Sequence, residues 1–116
     1  MADKLIITAA LTGAITIPTQ SDKLPYTSEQ LVADAVACVK AGAAAVHIHA
    51  RNPETGQPSS DPDLFAPILA GIRASGVDMI VGTTTGGGMG MLPTERLRVV
   101  PRYKPEVASF NLGSMN

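Results

Sequence analysis

Hydrophobic positions along this 116-residue chain alternate between unbroken runs and helical stripes. Leu5 to Ala10 is an unbroken run that includes Ile6, Ile7 and Thr8, which predicts a strand buried on both faces. A proline-bearing loop follows from Ile15 to Tyr26. Thr27 then stands as a helix cap, with Gln30 three residues on, as a capping box requires. Leu31, Ala35, Cys38 and Val39 repeat at helical spacing, and Gly42 ends the pattern. Ala44 to His49 reads as a second strand, and Asn52 to Ser60 as a turn-rich loop. A second helix is expected over Asp61 to Ala74, with Leu64, Ile68, Leu69 and Ile72 as its stripe. Pro67 argues for a kink or for a regular helix beginning nearer Leu64. Met79 to Gly82 predicts a third strand, Pro93 to Val100 a third helix with proline at its first position, and Val107 to Phe110 a fourth strand.

The order is βαβαβαβ, an α/β class with a parallel sheet and right-handed crossovers. Polar and glycine-rich residues gather after each strand, at Thr12-Gly13, His47 to Arg51, Thr83 to Gly88 and Asn111 to Ser114. That edge carries the chemistry in barrels and in open α/β sheets alike. A complete (β/α)8 barrel takes about 250 residues. The expectation is therefore the N-terminal half of a TIM barrel: residues 1–116 as one partial domain, a piece or truncated frame of a longer chain. The competing architecture is a small open three-layer sheet of four strands.

Composition narrows the partners. A net charge of −1 gives no basic surplus for nucleic acid or an anionic membrane. The single cysteine, Cys38, rules out a disulfide framework and is expected to be an inert core thiol in a reducing cytoplasm. No signal peptide is apparent, and no apolar run nears the roughly 20 residues that span a bilayer.

The sharpest chemical feature is Val46-His47-Ile48-His49-Ala50-Arg51. Residues i and i+2 of a strand share a face, so both imidazoles point one way at a strand's C-terminal end. That arrangement suits Zn2+, which takes at least three protein ligands. The acids Asp3, Asp22, Glu29, Asp34, Glu54, Asp61, Asp63, Asp78, Glu95 and Glu106 all fall on helices, loops or strand starts, so a third ligand is missing. The bland reading of the pair is two hydrogen-bonded histidines at a strand end. Thr83 to Gly88 offers hydroxyls and open backbone N–H groups for an anion, without the Gly-Lys-Ser/Thr of a phosphate loop. Ser109 and Asn111 should share one face of the fourth strand. For Arg51 a structural role outweighs an anion-holding one. Met89, Met91 and Met115 read as gap-fillers.

Ile7-Thr8-Ala9-Ala10-Leu11-Thr12-Gly13-Ala14, the His47/His49 segment, Thr84-Thr85-Gly86-Gly87 and Ala108-Ser109-Phe110-Asn111-Leu112-Gly113-Ser114-Met115-Asn116 together resemble the β-keto acid cleavage enzymes. The resemblance spans essentially the whole chain. It implies a zinc-dependent, homo-oligomeric TIM barrel that turns a β-keto acid and acetyl-CoA into acetoacetate and a new acyl-CoA. It implies His47 and His49 as zinc ligands, Thr84, Gly87 and Ser109 as contacts to the substrate carboxylate, and Asn111 as a further polar position at the site. The third zinc ligand, a glutamate, and the catalytic arginine and aspartate belong to the family's second half-barrel and do not occur here. No catalytic residue is therefore assigned within the chain, which alone should bind zinc poorly and turn nothing over. Members acting on amino-bearing substrates carry an acid just after Thr-Gly-Ala. Ile15 stands there in this chain, which implies an uncharged or apolar β-keto acid. Two other readings compete: a metal-dependent barrel hydrolase, disfavoured because the histidine pair lies on the second strand, and a non-catalytic half-barrel that assembles with another chain.

Overall fold

The computed structural model describes residues 3–88 and 90–110. Its elements are β1 (Thr8–Ala10), α1 (Ser28–Lys40), β2 (Ala45–Ile48), α2 (Pro62–Ala74), β3 (Ile80–Thr83), α3 (Pro93–Arg96), α4 (Val99–Tyr103) and β4 (Val107–Ala108). The four strands form one parallel sheet in the order β1-β2-β3-β4. The expected βα alternation is therefore present. Asn111, Gly113, Ser114, Met89 and Met115 lie outside the described residues.

The first helix forms as its caps dictate. The Gln30 amide donates to Thr27 Oγ1 at 3.3 Å, and Gln30 Oε1 accepts from the amides of Thr27 at 3.1 Å and Tyr26 at 3.0 Å. At the other end the Gly42 amide donates to the Val39 carbonyl and the Ala43 amide to that of Cys38, a Schellman close. Cys38 itself is only half-buried, not the core thiol expected.

The second helix corrects an expectation. It begins at Pro62, capped by Asp61, whose side chain accepts from the Asp63 amide at 3.0 Å. Pro67 sits inside it on the exposed side, where its missing N–H removes one rung without ending the helix. Phe65, absent from the expected stripe, is fully buried with Ile68, Leu69 and Ile72, and Leu64 only flanks them.

The first strand is shorter than its apolar run. Pairing starts at the Ile7 carbonyl, which accepts from the amides of Ala44 and Ala45. Upstream of β1 the chain passes the turn that precedes β2, and Leu5 and Ile6 stay exposed, at 85% and 71%. The third helix also divides. Pro101 has no N–H to give, and the chain tightens through Arg98 to Glu95 and Val100 to Leu97 bonds between α3 and α4. Lys104 closes α4 in a left-handed conformation, with φ of 46°.

One hydrophobic cluster holds these elements together. Leu31 and Ala35 from α1, Phe65, Ile68, Leu69 and Ile72 from α2, and Val99 from α4 meet Val46 and Ile48 of β2. Helices α1, α2 and α4 therefore cover the same side of the sheet, and the described residues form two layers, not three. The register puts Ala45 beside Ile80, and His47 beside Gly82 and Ala10, on the opposite side. That side is open: Ile80 is 39% and Val107 53% exposed.

Candidate metal and substrate site

The register assembles the site. His47 pairs laterally with Ala10 of β1 and Gly82 of β3, and Gly82 with Val107 of β4. One step further along, the Thr84 amide donates to the Ile48 carbonyl at 3.0 Å and the Ser109 amide to that of Thr83 at 3.2 Å. The ladder thus continues past the strands and sets His49, Thr84 and Ser109 in a row. Because side chains alternate, this row and the His47 row share the face away from the helices. Gly82 has no side chain beside His47, where a Cβ would make only ordinary contact with Nδ1 at 3.6 Å.

The imidazoles of His47 and His49 lie edge to face with centroids 5.0 Å apart. His49 is 9% exposed, and His47 is half-buried. Burial pushes the pKa of His47 down. Burial, then the neighbouring His47 and Arg51 charges, brings His49 from 6.5 to about 4. Both rings are therefore neutral at pH 7, the form a metal requires. The folded values lie below the ordinary 6.5, so the unfolded chain takes up protons first as the pH falls. The contribution of these rings to stability is full above pH 6.5 and declines towards pH 4. A proton NMR titration of the metal-free chain should show His49 neutral until about pH 4, and a midpoint near 6.5 contradicts this account of its burial.

No group of three or more histidine, cysteine, aspartate or glutamate side chains able to hold a metal occurs among the described residues. The pair offers two neutral nitrogen ligands on one face, which fits part of a zinc site and falls one ligand short of a minimal one.

The glycine-rich turn is more internally bonded than an open anion nest. The Thr85 amide donates to Ser109 Oγ at 2.9 Å, the Gly86 amide to Thr84 Oγ1 at 2.9 Å, and the Gly88 amide to Met91 Sδ at 3.1 Å. Thr85 Oγ1 donates to the Ser109 carbonyl at 2.7 Å. Ser109 thus anchors the turn, and Thr84 Oγ1, which accepts from Gly86, keeps its own proton to donate. Thr83 pairs with Ile48, faces the core and is fully buried, so its hydroxyl does not reach the histidine face. Gly87 is buried, and a Cβ there would fall 2.7 Å from Met91 Sδ and 3.2 Å from Arg96 Cγ.

Two arginines brace this edge. Arg51 is 2% exposed and donates only to carbonyl oxygens among the described residues: Nη1 to Thr16 and Gly56 at 2.7 Å each, Nη2 to Gly13 at 2.8 Å and Thr12 at 3.5 Å. The structural role expected of it is what the structure shows. Arg96 went unnoticed in the sequence. It is 8% exposed, and its Nε donates to the Met91 carbonyl at 2.9 Å beneath the glycine turn. Its only local signal was a place in the helix turn that follows the glycine run. A cleft of about 200 Å³, lined in part by Ile72, Met79, Tyr103 and Glu106, opens where β3 and β4 begin, at the end away from the histidines.

Curated proteins resemble this chain in sequence. A 3,5-dioxohexanoate:acetyl-CoA acetone transferase from Paraburkholderia graminis is 47% identical over 97% of the chain and 36% of its own length. A 3-keto-5-aminohexanoate cleavage enzyme from Fusobacterium nucleatum is 37% identical over the whole chain and 42% of its own length. A 3-oxoadipate:acetyl-CoA acetyltransferase from Cupriavidus necator is 36% identical, with 40% of its length covered. The chain thus spans roughly two fifths of the relatives it matches. Residues 4–116 match the family model described as beta-keto acid cleavage enzyme, and the chain belongs to that family.

Proposed function

We propose that this chain builds the N-terminal half of a zinc-dependent (β/α)8 barrel that exchanges acyl groups between a β-keto acid and acetyl-CoA. The bond between the keto carbon and the methylene of R–CO–CH2–COO⁻ breaks, and R–CO passes to the CoA thiol. The acetyl group of acetyl-CoA joins the methylene carbon, giving acetoacetate and R–CO–CoA. The observation that carries this reading is the shared face of His47, His49, Thr84 and Ser109 at the C-terminal edge of a sheet wound in sequential order. Sequential parallel order with α1, α2 and α4 on one side supports the winding of a barrel, and the bare face with Ile80 and Val107 is its interior on this reading.

His47 and His49 would hold the zinc, with the third ligand supplied from outside the described residues. Zinc bound there would act as a Lewis acid on the keto oxygen. Thr84 Oγ1 donates its free proton to the substrate carboxylate, Gly87 makes the tight turn against Met91 and Arg96 that would present the backbone to it, and Ser109 keeps the turn in place. Asn111 would add a polar contact. The substrate tail lies towards Ile15, which is 89% exposed on the loop after β1. An isoleucine there suits an uncharged tail, in keeping with the 3,5-dioxohexanoate named for the Paraburkholderia relative. On this reading the enzyme is a cytoplasmic homo-oligomer. Among the described residues no helix is long and apolar enough to cross a membrane.

The test is complementation. The chain is expressed alone, or joined to the remaining C-terminal part of the Paraburkholderia relative. The chain alone should bind little zinc and give no acetoacetate. The joined protein should bind near-stoichiometric zinc and form acyl-CoA. Turnover by the 116-residue chain alone defeats the half-site reading. A zinc-loaded joined protein inert towards every β-keto acid defeats the acyl-transfer reading. The open sheet face also supports a non-catalytic half-barrel that pairs with another chain, which a solution mass with a heterologous partner and no zinc would reveal.

A further inference from the structure

Arg51 is used by none of the steps above, yet it is the most deeply tied polar side chain at this edge. Its two terminal nitrogens reach two segments far apart in sequence: the Thr12–Thr16 loop after β1 and Gly56 in the loop after β2. Three of its bonds are 2.8 Å or shorter. A second contact joins the same loops. Gly56 has φ of +72°, and a Cβ there would fall 2.2 Å from Pro18 Cγ, so the two loops touch where only a glycine fits. Ile15 lies inside the clamped segment, one residue from Thr16 and two from Gly13. Its own side chain is 89% exposed, so its position comes from the carbonyls on either side of it, not from packing.

We propose that Arg51 is a positioning residue for substrate selection: its guanidinium fixes the Ile15 loop against the histidine strand, so discrimination between substrate tails depends on a side chain that never touches substrate. This rests on the reading of Ile15 as the tail contact. The planar fork is the reason for arginine. Two nitrogens held in one plane direct bonds to carbonyls on both segments at once, whereas a lysine ammonium is a single point that serves one cluster of acceptors.

The test uses the joined enzyme, with Arg51→Lys as the first variant and Gly13→Ala as the second. Gly13 has φ of +65° and open space around its Cβ position, so alanine there disfavours the clamped backbone without a clash. Arg51→Lys should keep its zinc, raise KM for the uncharged keto acid about tenfold with a smaller change in kcat, and speed amide exchange over residues 13–17. The preference for the uncharged over an amino-bearing keto acid should fall by a similar factor. Gly13→Ala should move the same readouts in the same direction by less. If either folded, zinc-loaded variant keeps the parent's KM, preference and exchange rates, the proposal is overturned. A parent enzyme with no preference between tails instead defeats the reading of Ile15, and exchange over residues 13–17 still decides whether Arg51 holds the loop.

Discussion

Replacing His47 or His49 by alanine in the joined enzyme should abolish stoichiometric zinc and lower kcat/KM by at least about 10³-fold, roughly 4 kcal/mol of transition-state stabilisation. The geometry gives the reason. Both rings stand on one face with centroids 5.0 Å apart, and no third ligand is at hand among the described residues to make up for a lost one. The two losses should not add: the double variant should be no worse than either single one, because two of three ligands already fail together. The fold should survive, since the core lies on the other side of the sheet and its β2 members are Val46 and Ile48. Metal analysis beside steady-state kinetics settles the point, and a His47→Ala enzyme that keeps both zinc and turnover would remove the pair from the site.

Ile15→Glu should reverse the substrate preference of the same enzyme. A carboxylate at this exposed position can pair with an ammonium on the substrate tail, and a charge-assisted hydrogen bond is worth about 1.5–3 kcal/mol, or roughly 10- to 150-fold in kcat/KM. The amino-bearing keto acid should gain by that factor. The uncharged one should lose less, because the glutamate can turn to water. Stability should hardly change, since Ile15 is 89% exposed and contributes little to the core. Competition between the two keto acids in one reaction gives the ratio directly. An unaltered ratio would place the tail elsewhere than over the loop after β1.

These two expectations draw on different levels of information. The histidine pair was legible because strand alternation is local: residues two apart share a face whatever the neighbours are. The capping box of α1 was legible for the same reason, as Thr27 and Gln30 find each other within one turn. Where tertiary context mattered, local pattern misled. Leu5 and Ile6 look like strand but have no partner beside them, and Pro67 looks like a kink or a late helix start but sits on a face where its lost bond is tolerated. The glycine turn looked like open amides, yet Ser109 and Met91 already accept from two of them.

The linear order of residues determined the βα alternation, the family motifs and the face that both histidines share, because periodicity and capping act over a few residues. Only the folded chain decided that Thr84 and Ser109 line up with His49, that Thr83 turns inward, that Arg96 is buried, and which carbonyls Arg51 braces. The row and the inward turn follow from strand register, and the place of Arg51 from carbonyl groups tens of residues away, such as that of Gly13; Arg96 bonds closer by, to Met91. Lateral pairing is a choice among distant partners, and in the folded chain α1 and α2 pack over one side of the sheet that results.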